Sequence, residues 1–90
     1  MRFEWNALKA AGNLRKHGVS FHEAVTVFFD PLSATGDDPD HSSEERRLVT
    51  FGMSSSGRLL VVAHTEQYDA IRIITAREAT RPERKLYEEG

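Results

Sequence analysis

Three β-branched-rich runs, RRLVTFGMS, RLLVVAHTE and AIRIITAR, follow one another between residues 46 and 77 with only SSG and QYD between them. A parallel crossover takes a dozen or more residues, so runs this close together predict an antiparallel meander. The rest of the chain has to pack on that sheet. Upstream, RFEW alternates apolar residues at positions 3 and 5 with charges, as a short strand does. Asn6 then caps a helix, ALKAAGNLRKHG, with Leu8, Ala11 and Leu14 at helical spacing and Lys16, His17 and Gly18 at its end. Ser20 opens a second helix, SFHEAVTVFFD, in which Ser20 and Glu23 read as a capping box and which Pro31 stops. The stretch DPLSATGDDPDHSSEE has six acids, two prolines and no Lys or Arg, and reads as a loop with a short strand at Leu32–Thr35. Beyond the meander, Thr80, Pro82 and Glu83 restart a helix that reaches Glu89. Strand, two helices, a meander of three or four strands and a final helix make the fold class α+β, in one domain over residues 1–90.

A chain of 90 residues buries only about 60–65% of its unfolded surface, so it is marginally stable alone and gains from a partner. There are no cysteines, which removes disulfides and thiolate zinc sites. MRFEWNALK lacks the apolar core of a secretory signal, and no apolar run approaches the roughly 20 residues that span a bilayer. A cytoplasmic protein with no membrane association is expected. The net charge of −2 conceals a division: residues 1–45 hold four Lys/Arg against eight acids, whereas residues 46–85 hold eight against four. A basic half of this kind is either a solvated face or a site for an anion. No Gly-rich phosphate loop is present, since Gly52 and Gly57 only punctuate the meander.

The segments FEWNALKAAGNLRKHGVSFHEA, HSSEERRLVTFG, GRLLVVAHTE, IRIITAREAT and RKLYEEG together resemble the BrnT family of type II toxins over nearly the whole chain. That resemblance implies a fold similar to the RelE superfamily of ribonuclease toxins, with two N-terminal helices and a C-terminal helix around a small antiparallel sheet. It also implies a ribonuclease toxin that inhibits translation by cutting RNA, free or on the ribosome. The implied partner is a ribbon-helix-helix, BrnA-like antitoxin that neutralises the toxin and links it to operator DNA. No cofactor and no metal are implied.

A ribonuclease that works through side chains needs a base for the 2′-hydroxyl, cations for the phosphorane-like transition state and a donor for the leaving oxygen. Arginine suits the second role because its guanidinium is permanently charged and pairs two phosphate oxygens. The candidates are Arg47, Arg72 and Arg77, with His64 as an acid and base or else a satisfied core histidine. Glu45 and Arg47 match the HSxxExR segment of the resemblance, so Glu45 is a base or a partner that holds Arg47. Where BrnT-like sequences often carry a second acid, this chain has Arg46, which adds positive charge. Arg46, Arg81 and Tyr87 are expected to contact RNA, Tyr87 by stacking a splayed base. Convergence depends on register. A tight first hairpin brings Arg47 near His64, and Arg72 or Arg77 joins His64 under alternative closures of QYDA. Arg72 and Arg77, five apart, face opposite ways unless a bulge intervenes. His41 after DDPD reads as part of a solvated acidic loop rather than a metal site, and His17 and His22 as capping or surface residues. The acidic loop, residues 37–45, is expected to order beside the antitoxin or the substrate.

Overall fold

The computed structural model describes residues 1–38 and 46–89. The elements run β1 (Arg2–Glu4), α1 (Ala7–His17), α2 (Phe21–Thr26), a 3-10 turn (Val27–Phe29), β2 (Ala34–Asp37), β3 (Leu48–Met53), β4 (Leu59–Gln67), β5 (Ala70–Glu78) and α3 (Arg81–Glu89). They build a five-stranded sheet in the order β1-β5-β4-β3-β2. Strands β2 to β5 form the expected antiparallel run, while β1 joins the far edge parallel to β5, which makes the sheet mixed. The parallel edge leaves no mark in a three-residue strand, whose partner is set by where α1 and α2 return the chain.

One face of the sheet is covered. Phe21, Ala24 and Val27 of the second helical segment pack on Leu60, Val62, Ile71, Ile73 and Ala76, with Phe3, Trp5 and Phe28 at the margin. Gly52 belongs to this face for a steric reason, because a Cβ there would lie 2.6 Å from Val27 Cγ1 and 3.1 Å from the Val27 carbonyl oxygen. Its absence lets the 3-10 turn rest on β3.

The caps follow local rules with one exception. Asn6 Oδ1 accepts from Leu8 and Lys9 N–H at 2.9 and 3.1 Å, and Gly18 ends α1 in the left-handed conformation at φ 68°. Thr80 and Glu83 form a reciprocal box on α3. Ser20 caps the Glu23 N–H at 3.0 Å, but the Glu23 carboxylate does not reach back. It crosses to the β3–β4 turn, where it accepts from Ser54 Oγ at 2.7 Å, from Ser56 Oγ and from the Arg58 guanidinium. Arg58 and the serine hydroxyls hold that carboxyl down to about pKa 2. A half-made capping box therefore became a long-range clamp.

Asn13 does the work of a strand. β1 pairs with β5 only at Ala70–Arg72, which leaves the outer edge of β5 open beyond that point. Asn13, buried on α1, fills part of the gap: its Nδ2 donates to the Ala76 and Val19 carbonyls at 2.8 and 2.9 Å, and its Oδ1 accepts from the Ala76 N–H at 3.1 Å. Buried backbone groups require such partners, and here a side-chain amide substitutes for the neighbouring chain.

Candidate active site on the second face of the sheet

The second face is ordered by register. Along β4 and β5, Val61 pairs with Arg77 and Ala63 with Thr75, but the next pairs are His64 with Ile73 and Thr65 with Arg72. The strand β5 therefore carries one extra residue, Ile74, between Ile73 and Thr75. That bulge reverses the alternation, so Arg72 and Arg77 lie on the same face although they are five apart. Their β4 partners, Thr65 and Val61, are four residues apart, which separates the two arginines by about 13 Å along the strands.

Beside Arg77 lies a hollow of about 350 Å³, which Arg72 does not line. Its floor is Val49, Phe51, Val61, Ala63 and Thr75, and its polar rim is Asp37, Asp38, Arg77 and Glu83. Arg77 is fixed by two parallel hydrogen bonds to Glu83 of α3, Nη1 to Oε1 at 2.8 Å and Nη2 to Oε2 at 2.9 Å. The Arg77 guanidinium, more than the Thr80 N–H, holds the Glu83 carboxyl down to about pKa 2, and Glu83 in turn raises Arg77. A carboxylate so strongly held is a poor proton acceptor at neutral pH, so Glu83 orients Arg77 rather than serving as a base. The sequence reading saw Glu83 only as a capping residue. Its spacing of six from Arg77 across a strand end gives no local signal for the pair.

At the far row, Arg72 lies 3.5 Å from Glu4 of β1 in an exposed ion pair. Arg47 precedes β3, and its carbonyl accepts from the Asp38 N–H at 3.0 Å. Since Leu48 is the residue opposite His64, alternation puts Arg47 on the Thr65 and Arg72 side of the sheet. The expectation that Arg47, Arg72 or Arg77 shares a face with His64 is therefore corrected. His64 is on the covered face with no solvent exposure, edge-on to Phe28 and 2.7 Å from Thr50 Oγ1, which is itself 2.7 Å from Thr35 Oγ1. Its Nδ1 is buried without a partner, and burial pushes the imidazole down to about pKa 4. A neutral ring sealed beneath the sheet is not presented on the second face. The core reading of His64 describes its position, set by the regular alternation of β4 with Leu60 and Val62, but only one of its ring nitrogens is satisfied.

The remaining candidates scatter. Arg46 is exposed and pairs with Asp37 at 2.9 Å. Arg81 stands exposed at the start of α3. Tyr87, half-buried, donates its hydroxyl to Asp30 Oδ2 at 2.5 Å and thereby ties α3 to the segment after the 3-10 turn. That bond raises the phenol's pKa, and the Met53 N–H and Tyr87 together lower Asp30. Half of the Tyr87 ring's surroundings are therefore protein rather than an open platform for a base. Glu45, His41 and most of the acidic loop, residues 39–45, lie outside the described residues. His17 ends α1, and His22 stacks edge-on with Trp5. Among the described residues no group of three His, Cys, Asp or Glu is close enough to hold a metal ion, and no helix is long and apolar enough to cross a membrane. The hollow's rim also departs from the expected cationic patch, since one arginine there faces three acids.

The profile of a family described as "Ribonuclease toxin, BrnT, of type II toxin-antitoxin system" matches residues 5–83. The crystal structure of the Brucella abortus ribonuclease toxin BrnT is similar in fold, with a TM-score of 0.66 and 20% sequence identity over 90% of this chain and 99% of that one. Among curated proteins there is no significant match.

Proposed function

This chain belongs to the BrnT family of ribonuclease toxins of type II toxin–antitoxin systems, and from that premise we propose that it cuts single-stranded RNA at the hollow rimmed by Arg77, on the face it shares with Arg72. The observation that carries the proposal is the bulge at Ile74, which brings both arginines to one face, Arg77 at the rim of a concave, partly apolar floor and Arg72 about 13 Å farther along it. Arg77, aimed by Glu83, and Arg72 with Arg47 supply positive charge to the non-bridging oxygens as the phosphate becomes pentacoordinate. A base takes the 2′-hydroxyl proton while the 2′-oxygen bonds to phosphorus. The P–O5′ bond then breaks and the departing oxygen acquires a proton, leaving a 2′,3′-cyclic phosphate and a 5′-hydroxyl. Glu45, two residues ahead of Arg47 and by sequence either a base or a partner of that arginine, takes the role of base in this proposal. Arg46, Arg81 and Tyr87 hold the flanking nucleotides. The side chains carry this chemistry without a metal, the cut RNA is what stops translation in the cytoplasm, and a DNA-binding antitoxin of the ribbon-helix-helix type neutralises the toxin.

The test is direct. Purified protein, with and without a chelator, is incubated with a mixed-sequence RNA and the new ends are sequenced and chemically typed. New 5′-hydroxyl ends that persist in chelator are expected, and Arg72→Ala and Arg77→Ala each lower the rate about 100-fold. A second reading, a toxin that acts by binding alone, draws on the exposed Leu32 and Leu86, which flank a smaller hollow beside Phe51 and Tyr87. Growth arrest on expression without any new RNA ends selects that reading and ends the first.

A further inference from the structure

Four arginines of the basic half are engaged by acids, Arg46 by Asp37, Arg58 by Glu23, Arg72 by Glu4 and Arg77 by Glu83, while Arg81, Arg84 and Lys85 are exposed on α3. The first half of the chain, acidic in sum, also holds exposed cations. On α1, Lys9 and Lys16 are exposed and make no ion pair among the described residues. They share one helix face with Gly12, Asn13 and His17, at spacings of three, four, seven and eight. That face borders a groove of about 250 Å³ closed by Ile74 and Thr75 of β5, and none of the groove's lining residues is acidic.

The groove exists because β5 has an open edge there. β1 stops pairing at Arg72, the bulge displaces Ile74, and the next edge group, Ala76, is bound by Asn13. Those bonds also fix the position of α1 along the strand. Lys9 and Lys16 stand about one turn to either side of Asn13 and roughly 10 Å apart along the helix. Thr75 lines both this groove and the larger hollow that holds Arg77. A chain lying in the hollow has only to pass over Thr75 to reach the lysines.

Resting on the ribonuclease reading above, we infer that the RNA backbone leaves the Arg77 hollow across the open edge of β5 at Thr75 and is held there by Lys9 and Lys16 of α1. Two unpaired ammonium groups beside an acid-free groove suit consecutive phosphates of a single strand. They bind by charge without reading sequence. The α1 face is thus a positioning subsite that adds affinity for longer substrates and takes no part in bond breaking.

The probe is a fluorescein-labelled 12-nucleotide mixed-sequence RNA with 2′-O-methyl sugars, which cannot be cut by attack of its own hydroxyl. Its dissociation constant is read by anisotropy from 50 to 300 mM KCl for the full chain, for Lys9→Gln/Lys16→Gln, and for Arg15→Gln as a control on the same helix outside the groove. Cleavage of unmodified RNA by the unsubstituted chain is measured alongside. The double variant is expected to bind about tenfold more weakly at 100 mM salt, with the slope of log affinity against log salt shallower by about 1.4, or ~0.7 per lost phosphate contact. Arg15→Gln is expected to leave the slope unchanged. An unchanged slope in the double variant, while the unsubstituted chain binds and cuts, overturns the subsite and leaves the ribonuclease reading standing. Equal loss in the control also overturns it, because the effect is then a general field. A chain that neither binds the probe nor cuts RNA overturns both.

Discussion

Asn13→Ala is the substitution with the largest consequence for its size. It removes three hydrogen bonds at once: two donated by Nδ2, to Val19 and Ala76, and one accepted by Oδ1 from Ala76. Asn13 is 7% exposed and Ala76 is fully buried, so water does not freely replace the lost partners. At a net ~1 kcal/mol per bond, with orphaned buried groups at the upper end, the cost is about 3 kcal/mol. A chain of 90 residues is stable by about 5–13 kcal/mol, so this is a large fraction of the total. It corresponds to a fall in Tm of roughly 12–24 °C, or a urea midpoint lower by about 1–3 M at unchanged m. Asn13→Asp makes the case sharper. It keeps the shape and the acceptor but replaces two donors by a carboxylate facing two carbonyls, and is expected to cost at least as much as alanine. Urea melts of both variants followed by circular dichroism decide the matter. A loss below about 1 kcal/mol in either, or an aspartate milder than the alanine, refutes the claim that one amide stands in for β1 where its pairing with β5 stops.

Acid stability should fall in two stages. His64 sits near 4 in the fold against an ordinary 6.5, so the unfolded chain takes up a proton first and stability declines as pH drops from about 6.5 to 4, then levels. Glu23 and Glu83 sit near 2 against 4.5, so their contribution is whole above 4.5 and drains away as pH falls toward 2. His64→Leu is expected to abolish the upper stage and spare the lower one, and urea midpoints between pH 7.5 and 3 that retain the upper stage in the variant would contradict this. Tyr87→Phe removes the hydroxyl bond to Asp30, a loss of about 1–2 kcal/mol that falls on a helix with no buried residue. Amide exchange in residues 81–89 should quicken while β4 and β5 stay protected, and unaltered exchange there would show that α3 does not depend on the latch.

The legible parts of this fold are those that a few neighbouring residues decide. Asn6 and Gly18 bracket α1, Thr80 and Glu83 start α3, and the dense apolar pattern of β4 and β5 announces the centre of the sheet. What escaped is whatever is fixed across a distance. The bulge at Ile74 is one residue in a run of isoleucines and threonines with no glycine to mark it, yet it decides that Arg72 and Arg77 share a face. Asn13 reads as an ordinary polar position in a helix until β5 arrives beside it.

The charge division misled for a related reason. Counting Lys and Arg along the chain locates cations, but an anion responds to the cations left after internal pairing. The acids of the first half are spent across the fold: Glu4 on Arg72, Glu23 on Arg58 and Asp37 on Arg46. Part of the basic half is thereby turned from a free cationic surface into clamps that hold the turn, the edge strand and the rim of the hollow, while Arg81, Arg84 and Lys85 stay exposed on α3. Arg77 is held by Glu83 through two parallel bonds and stays at the rim, where the proposed function has it meet a phosphate. Lys9 and Lys16 of α1, in the half of the chain whose sum is negative, add exposed charge to that of Arg81, Arg84 and Lys85 on α3.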